Sequence, residues 1–231
     1  MLRKEAVPLE LFERIILLQK NELFKDYILA GGTALALQTG YRNSIDIDLF
    51  TFKKQDNELF LNYFRNNFKD INIDNNTPGI LNLVVDNVIT DICNIRGNIL
   101  EAPKKEDGIT MFGLSDISAM KLSTICDRKR AKDYTDIAYL LENGIRLEDM
   151  FELYKKKYDE KDIFRVKKAL LEYNMVNPYE WEKVKLLDKN FLVSNVPRII
   201  KDELEKYNKK YVFNRKKTFG FKKKEDPDYD P

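Results

Sequence analysis

The stretch from residue 31 to residue 50, GGTALALQTGYRNSIDIDLF, decides the fold of this chain. The apolar residues at 27–30 predict a strand that runs into a glycine turn and a short helix. A second predicted strand carries Asp46 and Asp48, which share one face because successive strand side chains alternate. The opposite face is apolar and is expected to enter a core through Ile45, Ile47 and Leu49.

The two aspartates predict a cation site. Neighbouring carboxylates repel each other and resist joint ionisation unless a cation lies between them. Mg2+ prefers oxygen ligands and usually takes one or two carboxylates together with phosphate oxygens. The turn at Gly31, Gly32 and Thr33 offers bare N–H groups and a hydroxyl at a helix start, which suits phosphate. Each feature alone has a plain alternative, a simple turn or a solvated strand face, but together they predict Mg2+-dependent phosphoryl or nucleotidyl transfer.

One known family has these residues in the same order. Its first motif resembles Gly31-Gly32-Thr33 followed by Arg42-x-Ser44-x-Asp46-x-Asp48-Leu49-Phe50. The family is that of the AbiEii/AbiGii-type nucleotidyltransferase toxins, within the DNA polymerase β-like nucleotidyltransferase superfamily. Its later Lys and (R/K)-D-x-x-D motifs are similar to Lys121 and to the run RKRAKDYTD at 128–136. The resemblance covers the region from about residue 25 to residue 145.

The resemblance implies roles for these residues. The metal, one or two Mg2+ ions, would be held by Asp46, Asp48 and Asp91. The nucleotide, an NTP, would contact Gly31, Gly32, Thr33, Arg42, Ser44 and Lys121. The acid of the later motif would be Asp133 or Asp136. The family further implies a toxin of a bacterial toxin–antitoxin or abortive-infection pair, with an antitoxin as partner and an RNA acceptor such as a tRNA 3′ end.

Composition removes several other chemistries. Histidine is absent and Cys93 and Cys126 are the only cysteines, so Ser-His-Asp and Cys-His nucleophiles are excluded, as is a four-ligand zinc site without borrowed carboxylates. Both cysteines are expected to be buried as small apolar groups. No apolar run approaches the roughly 18 residues that span a bilayer, and no apolar signal region follows the N-terminus. These features predict a cytoplasmic protein.

Asp91 lies in an otherwise apolar stretch. The runs at 80–85 and 88–95 flank Asp86-Asn87 and predict a hairpin. In the second run Asp91 shares a face with Ile89 and Cys93. Two interpretations stay open: a third metal carboxylate or the base for an acceptor hydroxyl, and a solvated aspartate on an edge strand.

The later motif is predicted to be helical. Ser115 is expected to N-cap a helix that continues to about residue 128 and carries Lys121, either as a solvated lysine or as a phosphate contact. A second helix at 133–143 ends before Gly144. It places Asp133 and Asp136 on one face, with helix capping as the alternative for Asp133. The basic residues beside them form either a solvated junction or a contact for RNA phosphates: Arg128, Lys129, Arg130 and Lys132.

The remaining pattern predicts an α+β fold, a small mixed-sheet core followed by an all-α region. Helices are expected at 8–25, with Leu9 on the apolar stripe, and at 55–68, with Leu59 among the apolar residues. A short strand is expected at 71–73 and a loop at 103–108. Further helices are expected at 147–158, 160–173, 178–188 and 197–207, with no strand among them. The predicted divisions are an α/β domain at 1–110, a helical domain at 111–207 and a flexible tail at 208–231, with the nucleotide in the cleft between the domains.

Two alternatives to RNA modification stay open. A small-molecule nucleotidyltransferase, acting for instance on an aminoglycoside, would share the metal motif and differ only in its acceptor pocket. A nucleotide- or RNA-binding module with a dead site would be expected to lose Asp46 or Asp48, and both are present. The stretch 206–224 carries nine basic residues, no acidic one and interleaved aromatic rings, so it predicts either an RNA contact or a disordered tail.

Overall fold

A computed structural model describes residues 1–218 of the 231-residue chain, with only the backbone described at 211–218. The strands are β1 (Ile28–Leu29), β2 (Ile47–Thr51), β3 (Ile71–Thr77), β4 (Ile80–Val85), β5 (Val88–Asn94), β6 (Lys104–Glu106) and β7 (Ile109–Met111). The helices are α1 (Leu9–Lys20), α2 (Gly31–Thr39), α3 (Asn57–Asn67), α4 (Leu114–Asp127), α5 (Ala131–Glu142), α6 (Leu147–Tyr158), α7 (Phe164–Leu171), α8 (Pro178–Glu182) and α9 (Val196–Thr218).

All seven described strands form one mixed sheet, in the order β3-β4-β5-β2-β1-β7-β6. Strand β2 is parallel to β5 and antiparallel to β1. The β4–β5 hairpin turns at Asp86 and Asn87, whose φ angles of 45° and 65° are typical of a type I′ turn. The helices that follow the sheet complete the α+β fold, which confirms the predicted class.

The decisive motif forms as predicted, with one exception. Ile47 and Leu49 are fully buried, and their neighbours Asp46 and Asp48 face the other way. Ile45 is 55% exposed, so its predicted place in the core is wrong. The reason is that β2 begins only at Ile47, and alternation does not extend to the irregular chain before it.

The two amphipathic helices near the N-terminus are shorter than predicted. Helix α1 ends at Lys20, and a 3-10 turn at Glu22–Phe24 follows, capped by the Asn21 side chain. Leu9, predicted to be on the buried stripe, is 71% exposed, because the stripe that packs on the core contains Leu11, Phe12, Ile15 and Leu18. Leu59 of α3 is likewise exposed, and the helix packs through Phe60, Leu61 and Phe64.

The predicted loop at 103–108 is a hairpin instead. Strands β6 and β7 pair antiparallel across Asp107 and Gly108, and β7 runs parallel to β1. Both turn residues have positive φ angles, 51° and 82°, so this is the Asp-Gly turn that two-residue hairpins prefer. The flanking segments are only three residues each, too short to stand out as strands in the sequence.

Helix α4 begins one residue before the predicted cap. Gly113 is at the N-cap position and has no side chain to offer, so the prediction for Ser115 is wrong. Instead, the backbone N–H of Ser115 donates to Oε1 of Glu101 at 2.9 Å. A carboxylate from the preceding loop therefore satisfies the helix terminus.

The C-terminal half contains helices in the predicted order, and all but one differ in length from the prediction. Helix α6 has the predicted bounds, α7 and α8 are shorter, and α9 continues to Thr218, into the stretch predicted as a tail. Among the described residues beyond 147 the β-type pairing is a single bridge from Leu186 to Arg42. The last strand ends at Met111. The division into domains at residue 110 stays a prediction. Residues 219–231 of the predicted tail lie outside the described residues.

No helix within residues 1–218 is both long and apolar enough to cross a membrane.

A fully buried ion pair joins the helical half to the loop after β5. Lys157 Nζ lies 2.6 Å from Asp116 Oδ1, and neither side chain has exposed surface. The ammonium also donates to the carbonyl of Asn98 at 3.0 Å. Asp116 accepts in addition from the backbone N–H groups of Leu100 and Glu101. The pair therefore stabilises the loop that caps α4.

Replacing one partner of this pair is expected to destabilise the fold. Lys157→Met leaves the Asp116 charge buried and unpaired, so the free energy of unfolding should fall by about 3–5 kcal/mol. Lys156→Met is the matched control, because Lys156 is exposed and a surface change should stay within about 0.5 kcal/mol. Urea denaturation measures both, and equal losses for the two variants would contradict the expectation.

Candidate active site

A cavity of about 700 Å³ lies between the sheet and the helical half. The sheet side is lined by the start of α2, the chain before β2, and the strands β2 and β5. The helical side is lined by α4, the α4–α5 junction and α8. Residues that the sequence predicted for the site and that line the cavity are Gly31, Gly32, Arg42, Ser44, Asp46, Asp48, Asp91, Lys121, Arg128, Arg130, Lys132 and Asp133.

Three carboxylates face the cavity, two from neighbouring strands and one from the chain before β2. Asp48 and Asp91 are directly paired in the register of the parallel strands β2 and β5, so their side chains leave the same face of the sheet. Asp46 precedes β2 and lines the same cavity. Strand β5 lies between β4 and β2, so the alternative of an edge strand for Asp91 is wrong.

The crowding of these carboxylates disfavours their joint ionisation. Burial raises the pKa of Asp48 to about 6, helped by the charges of Asp91 and Asp46 and opposed by Lys121. Burial also raises the pKa of Asp91, against a hydrogen bond from Asn82 that lowers it. A cation at this face would relieve the repulsion, and oxygen atoms such as these are the ligands that Mg2+ prefers.

These side chains fit a metal that takes part of its ligands from the substrate. Among the side chains that the structure describes, no group of three His, Cys, Asp or Glu residues is placed to hold a metal ion by itself. Mg2+ usually binds through one or two carboxylates together with phosphate oxygens. The face that carries Asp46 and Asp48 therefore suits such an ion.

The glycine turn is packed directly beneath Asp48. Gly31 has a φ angle of +65°, and a Cβ atom built on it would lie 1.9 Å from Asp48 Oδ2. A Cβ atom on Gly32 would lie 2.5 Å from Arg42 Nη2. Both positions therefore require glycine for space, and Gly31 also for its backbone conformation. The two residues begin α2, where backbone N–H groups lack intrahelical partners.

Thr33 holds the motif together from behind the cavity. Its side chain is fully buried, donates to the backbone carbonyl of Asp46 and lies 2.9 Å from Ser44 Oγ. The hydroxyl therefore ties α2 to the chain before β2 and does not reach the cavity. Ser44, its neighbour, does line the cavity. The Thr33 side chain is therefore not in position for the predicted contact with a nucleotide in the cavity.

Asp136 is buried behind the cavity and organises the cations around it. Arg42 donates to it through Nε at 2.7 Å and Nη2 at 2.9 Å, a bidentate pair, and the Tyr41 hydroxyl donates as well. Lys121 Nζ lies 2.6 Å from its Oδ2. Burial alone would raise the pKa of Asp136, but Arg42 and Lys121 hold it below its usual range.

Asp133 shares Lys121 with Asp136 and lies at the cavity wall. Lys121 Nζ is 2.7 Å from Asp133 Oδ1, and the lysine side chain is only 7% exposed. The alternative of a solvated lysine is therefore wrong, and the prediction that the two aspartates share a face is confirmed. Arg128 Nε contacts Asp133 Oδ2 at 3.1 Å. Burial opposes ionisation, yet Lys121 and Arg128 lower the pKa of Asp133.

The four basic residues of the junction do not share one surface. Arg128, Arg130 and Lys132 line the cavity, and Lys132 Nζ lies 3.5 Å from Asp46 Oδ2. Lys129 instead contacts Glu172 Oε2 at 2.9 Å and is not among the cavity residues. Its predicted place beside the other three is wrong, because its ammonium pairs with Glu172, the first residue of the 3-10 turn at Glu172–Met175.

Sequence reasoning missed part of the wall. Glu180 and Lys183 line the cavity from the α8 region, and Glu180 Oε2 accepts from the backbone N–H of Ala131 at 3.1 Å. No motif signals these residues, because only tertiary packing brings α8 to the site. Strand parity places Ile89 and Cys93 on the face of Asp91, and both line the cavity together with Phe50.

The cysteines are less buried than predicted. Cys93 and Cys126 are both free and only partly buried. Burial together with Asp91 and Asp48 raises the pKa of Cys93 to about 12, so its thiol stays neutral at the cavity wall. Burial also raises the pKa of Cys126. Both therefore behave as weakly polar packing groups rather than as nucleophiles.

Comparison with known proteins gives the family. The family model described as nucleotidyl transferase AbiEii toxin, type IV toxin–antitoxin system, matches residues 15–84 and 80–210. The chain therefore belongs to this family and is a nucleotidyltransferase. An uncharacterised protein of Aquifex aeolicus (strain VF5) is 31% identical over 171 residues, which cover 69% of this chain and 82% of that protein.

Two solved structures share the fold. JHP933 from Helicobacter pylori has a TM-score of 0.55 at 16% identity, covering 93% of this chain and 96% of that one. MenT4, the nucleotidyltransferase toxin Rv2826c from Mycobacterium tuberculosis H37Rv, has a TM-score of 0.53 at 11% identity, with 84% and 80% covered. At these identities the likeness concerns the fold alone.

The unfavourable negative charge of Asp48 should lower the free energy of unfolding of the metal-free protein. The pKa of Asp48 in the folded protein, about 6, lies above its ordinary value of 3.8, so its charge destabilises the fold above pH 6. Asp48→Asn should therefore raise the free energy of unfolding at pH 7.5 by about 1–2 kcal/mol. The gain should shrink as the pH falls from 6 toward 4 and should be lost below the ordinary pKa of 3.8, where the carboxyl is protonated in both states.

Urea denaturation in EDTA at pH 7.5 and pH 4.0 measures this gain. Asp74→Asn on the exposed surface of β3 is the control and should change stability by less than about 0.5 kcal/mol at either pH. A destabilised Asp48→Asn protein at pH 7.5 would show that the carboxylate is stabilised by its surroundings instead.

Proposed function

We propose that this protein transfers an NMP group from an NTP to the hydroxyl of an RNA acceptor, a tRNA 3′ end in the first instance, with Mg2+ as cofactor. The observation that carries the proposal is the joint placement of Asp46, Asp48 and Asp91 on one face of a cavity that also holds Gly31 and Lys121. Carboxylates on one wall and phosphate-binding groups on the next are what such a reaction needs.

The residues divide the work between metal, nucleotide and acceptor. Asp46 and Asp48 would hold one or two Mg2+ ions, while Asp91, paired with Asp48 in the strand register, would serve as the base. When bound, the metal neutralises the reacting phosphate and aligns it with the acceptor. Gly31, Gly32 and Ser44 would hold the triphosphate.

The fixed cations would then act on the charge of the triphosphate. Lys121 is held at the wall by Asp133 and Asp136 and would stabilise the charge that develops on the leaving pyrophosphate. Arg42, behind Gly32, would add positive charge that favours the same triphosphate.

Bond changes balance within this arrangement. The acceptor oxygen forms a bond to the α-phosphorus, the bond from that phosphorus to the bridging oxygen breaks, and pyrophosphate leaves. The proton of the acceptor hydroxyl passes to a carboxylate of the cavity. Asp91 suits this task, because burial raises its pKa and a base with a raised pKa holds a proton more readily.

The acceptor is inferred to be RNA from the charge at the cavity rim. Arg128, Arg130 and Lys132 line the cavity from the α4–α5 junction, and Lys183 adds a fourth cation from the α8 region. Such a rim suits the phosphates of a nucleic acid. The basic and aromatic stretch at 206–224 is a separate candidate for RNA contact, since its described residues Tyr207 and Lys210 contact α6, which does not line the cavity.

The biological role proposed here is that of the toxin in a toxin–antitoxin pair. Family membership supports an antitoxin as partner. A cytoplasmic location would bring the enzyme together with NTPs and tRNA.

Labelled-nucleotide transfer tests the reaction. The protein is incubated with each α-labelled NTP, Mg2+ and total tRNA, and the products are separated on a gel. We expect label on RNA with the wild type. Asp46→Asn or Asp48→Asn should lower the transfer rate by about 100-fold or more, since losing the metal should cost several kcal/mol of transition-state stabilisation. Asp74→Asn is the surface control.

Three outcomes separate the interpretations. Near-wild-type transfer by either aspartate variant would refute the metal site. Label on an added aminoglycoside but not on RNA would replace the acceptor and keep the chemistry. No transfer to any acceptor, with NTP still bound, would favour a binding module.

Salt dependence of tRNA binding tests the rim. Arg130 lines the cavity whereas Lys129 points away, so Arg130→Ala should weaken binding and reduce the slope of log K against log salt by about one. Lys129→Ala should leave that slope unchanged. Filter binding at several salt concentrations provides the slopes, and identical slopes for both variants would exclude Arg130 as a phosphate contact.

A further inference from the structure

One ion pair in the cavity joins a carboxylate of the sheet to a lysine of the helical half. Lys132, in the first turn of α5, places Nζ 3.5 Å from Asp46 Oδ2. The two side chains are 41% and 29% exposed, so water reaches both. We propose that Lys132 is an exchangeable counter-ion of Asp46, which leaves the carboxylate when Mg2+ and NTP arrive and then contacts the triphosphate. This inference rests on the proposed function.

The other cations near the carboxylates are held too firmly for such an exchange. Lys121 lies between Asp133 and Asp136, and both aspartate side chains are almost fully buried. Arg42 is fixed by its bidentate contact with Asp136 and has 2% of its side chain exposed. Breaking either arrangement would leave a buried charge without a partner, which is strongly unfavourable.

Lys132 has no such constraint. Its ion pair with Asp46 is a single contact to a partly exposed carboxylate, and pairs of this kind contribute little to stability. The flexible four-carbon stem lets the ammonium move while the backbone of α5 stays in place. Lys132 can therefore exchange partners at low cost.

The position of Lys132 makes metal and nucleotide binding depend on each other. An ammonium beside Asp46 repels a divalent cation at the same carboxylate, so the metal alone must compete with the lysine. A triphosphate brings negative oxygens that give the displaced ammonium a new partner. Metal and NTP therefore bind with positive coupling, and by linkage each should raise the affinity for the other.

Removing the Lys132 charge should affect the two ligands in opposite directions. Lys132→Met should tighten the binding of Mn2+ alone by roughly two- to fivefold, the range that corresponds to a partly exposed pair. The same variant should weaken the binding of NTP measured in EDTA. A residue that only contacted RNA would change neither affinity, and a residue needed only for folding would not tighten a ligand.

Electron paramagnetic resonance of free Mn2+ measures the metal affinity without any need for transfer activity. Lys132→Arg, which keeps the charge, should behave like the wild type. Lys129→Met is the matched control from the same junction, since it contacts Glu172 and not the cavity, and it should leave Mn2+ affinity unchanged. In an Asp46→Asn background, Lys132→Met should lose its effect, because the partner carboxylate is gone.

The results discriminate between this inference and the function on which it rests. Equal Mn2+ affinity of Lys132→Met and wild type, with Asp46→Asn weakening it, would overturn the exchange and leave the metal site intact. Mn2+ affinity that Asp46→Asn and Asp48→Asn do not change would overturn both the metal site and the exchange.

Discussion

The candidate active site depends on one buried carboxylate, that of Asp136. Arg42 comes to it from the chain before β2, Lys121 from α4, and Asp136 itself belongs to α5. Because a buried charge without a partner costs far more than the same charge when paired, these segments must meet in one arrangement. Asp136 therefore sets the distance between the sheet face that carries the acidic residues and the helices that carry the cations, without touching the cavity itself.

The local parts of this design could be predicted from the sequence. The turn at Gly31, the parity of Asp48 with its buried neighbours, and the spacing of Asp133 and Asp136 each follow from the geometry of a single element. The resemblance to the toxin family, which rests on these residues, was confirmed by the family match over residues 15–84 and 80–210. Local rules sufficed wherever a residue's role is set by its neighbours in the chain.

The errors have a common physical cause, which is that the partner of a side chain is chosen by tertiary packing. Thr33 has the right residue type for a phosphate contact, but it donates to the carbonyl of Asp46 behind the cavity. Lys129 has the same charge as Lys132 and yet contacts Glu172, on a segment distant in sequence. Glu180 reaches the cavity from a region with no motif. None of these choices leaves a trace in the local pattern.

The bare backbone at Gly31 also bears on how such a gene can change. A Cβ atom at this position would overlap the Asp48 carboxylate, 1.9 Å away, so alanine, the smallest replacement, already displaces a proposed metal ligand. Every change in the first two bases of a glycine codon replaces the glycine or stops the chain. We therefore expect missense changes at this codon to inactivate the nucleotidyltransferase while the protein still folds.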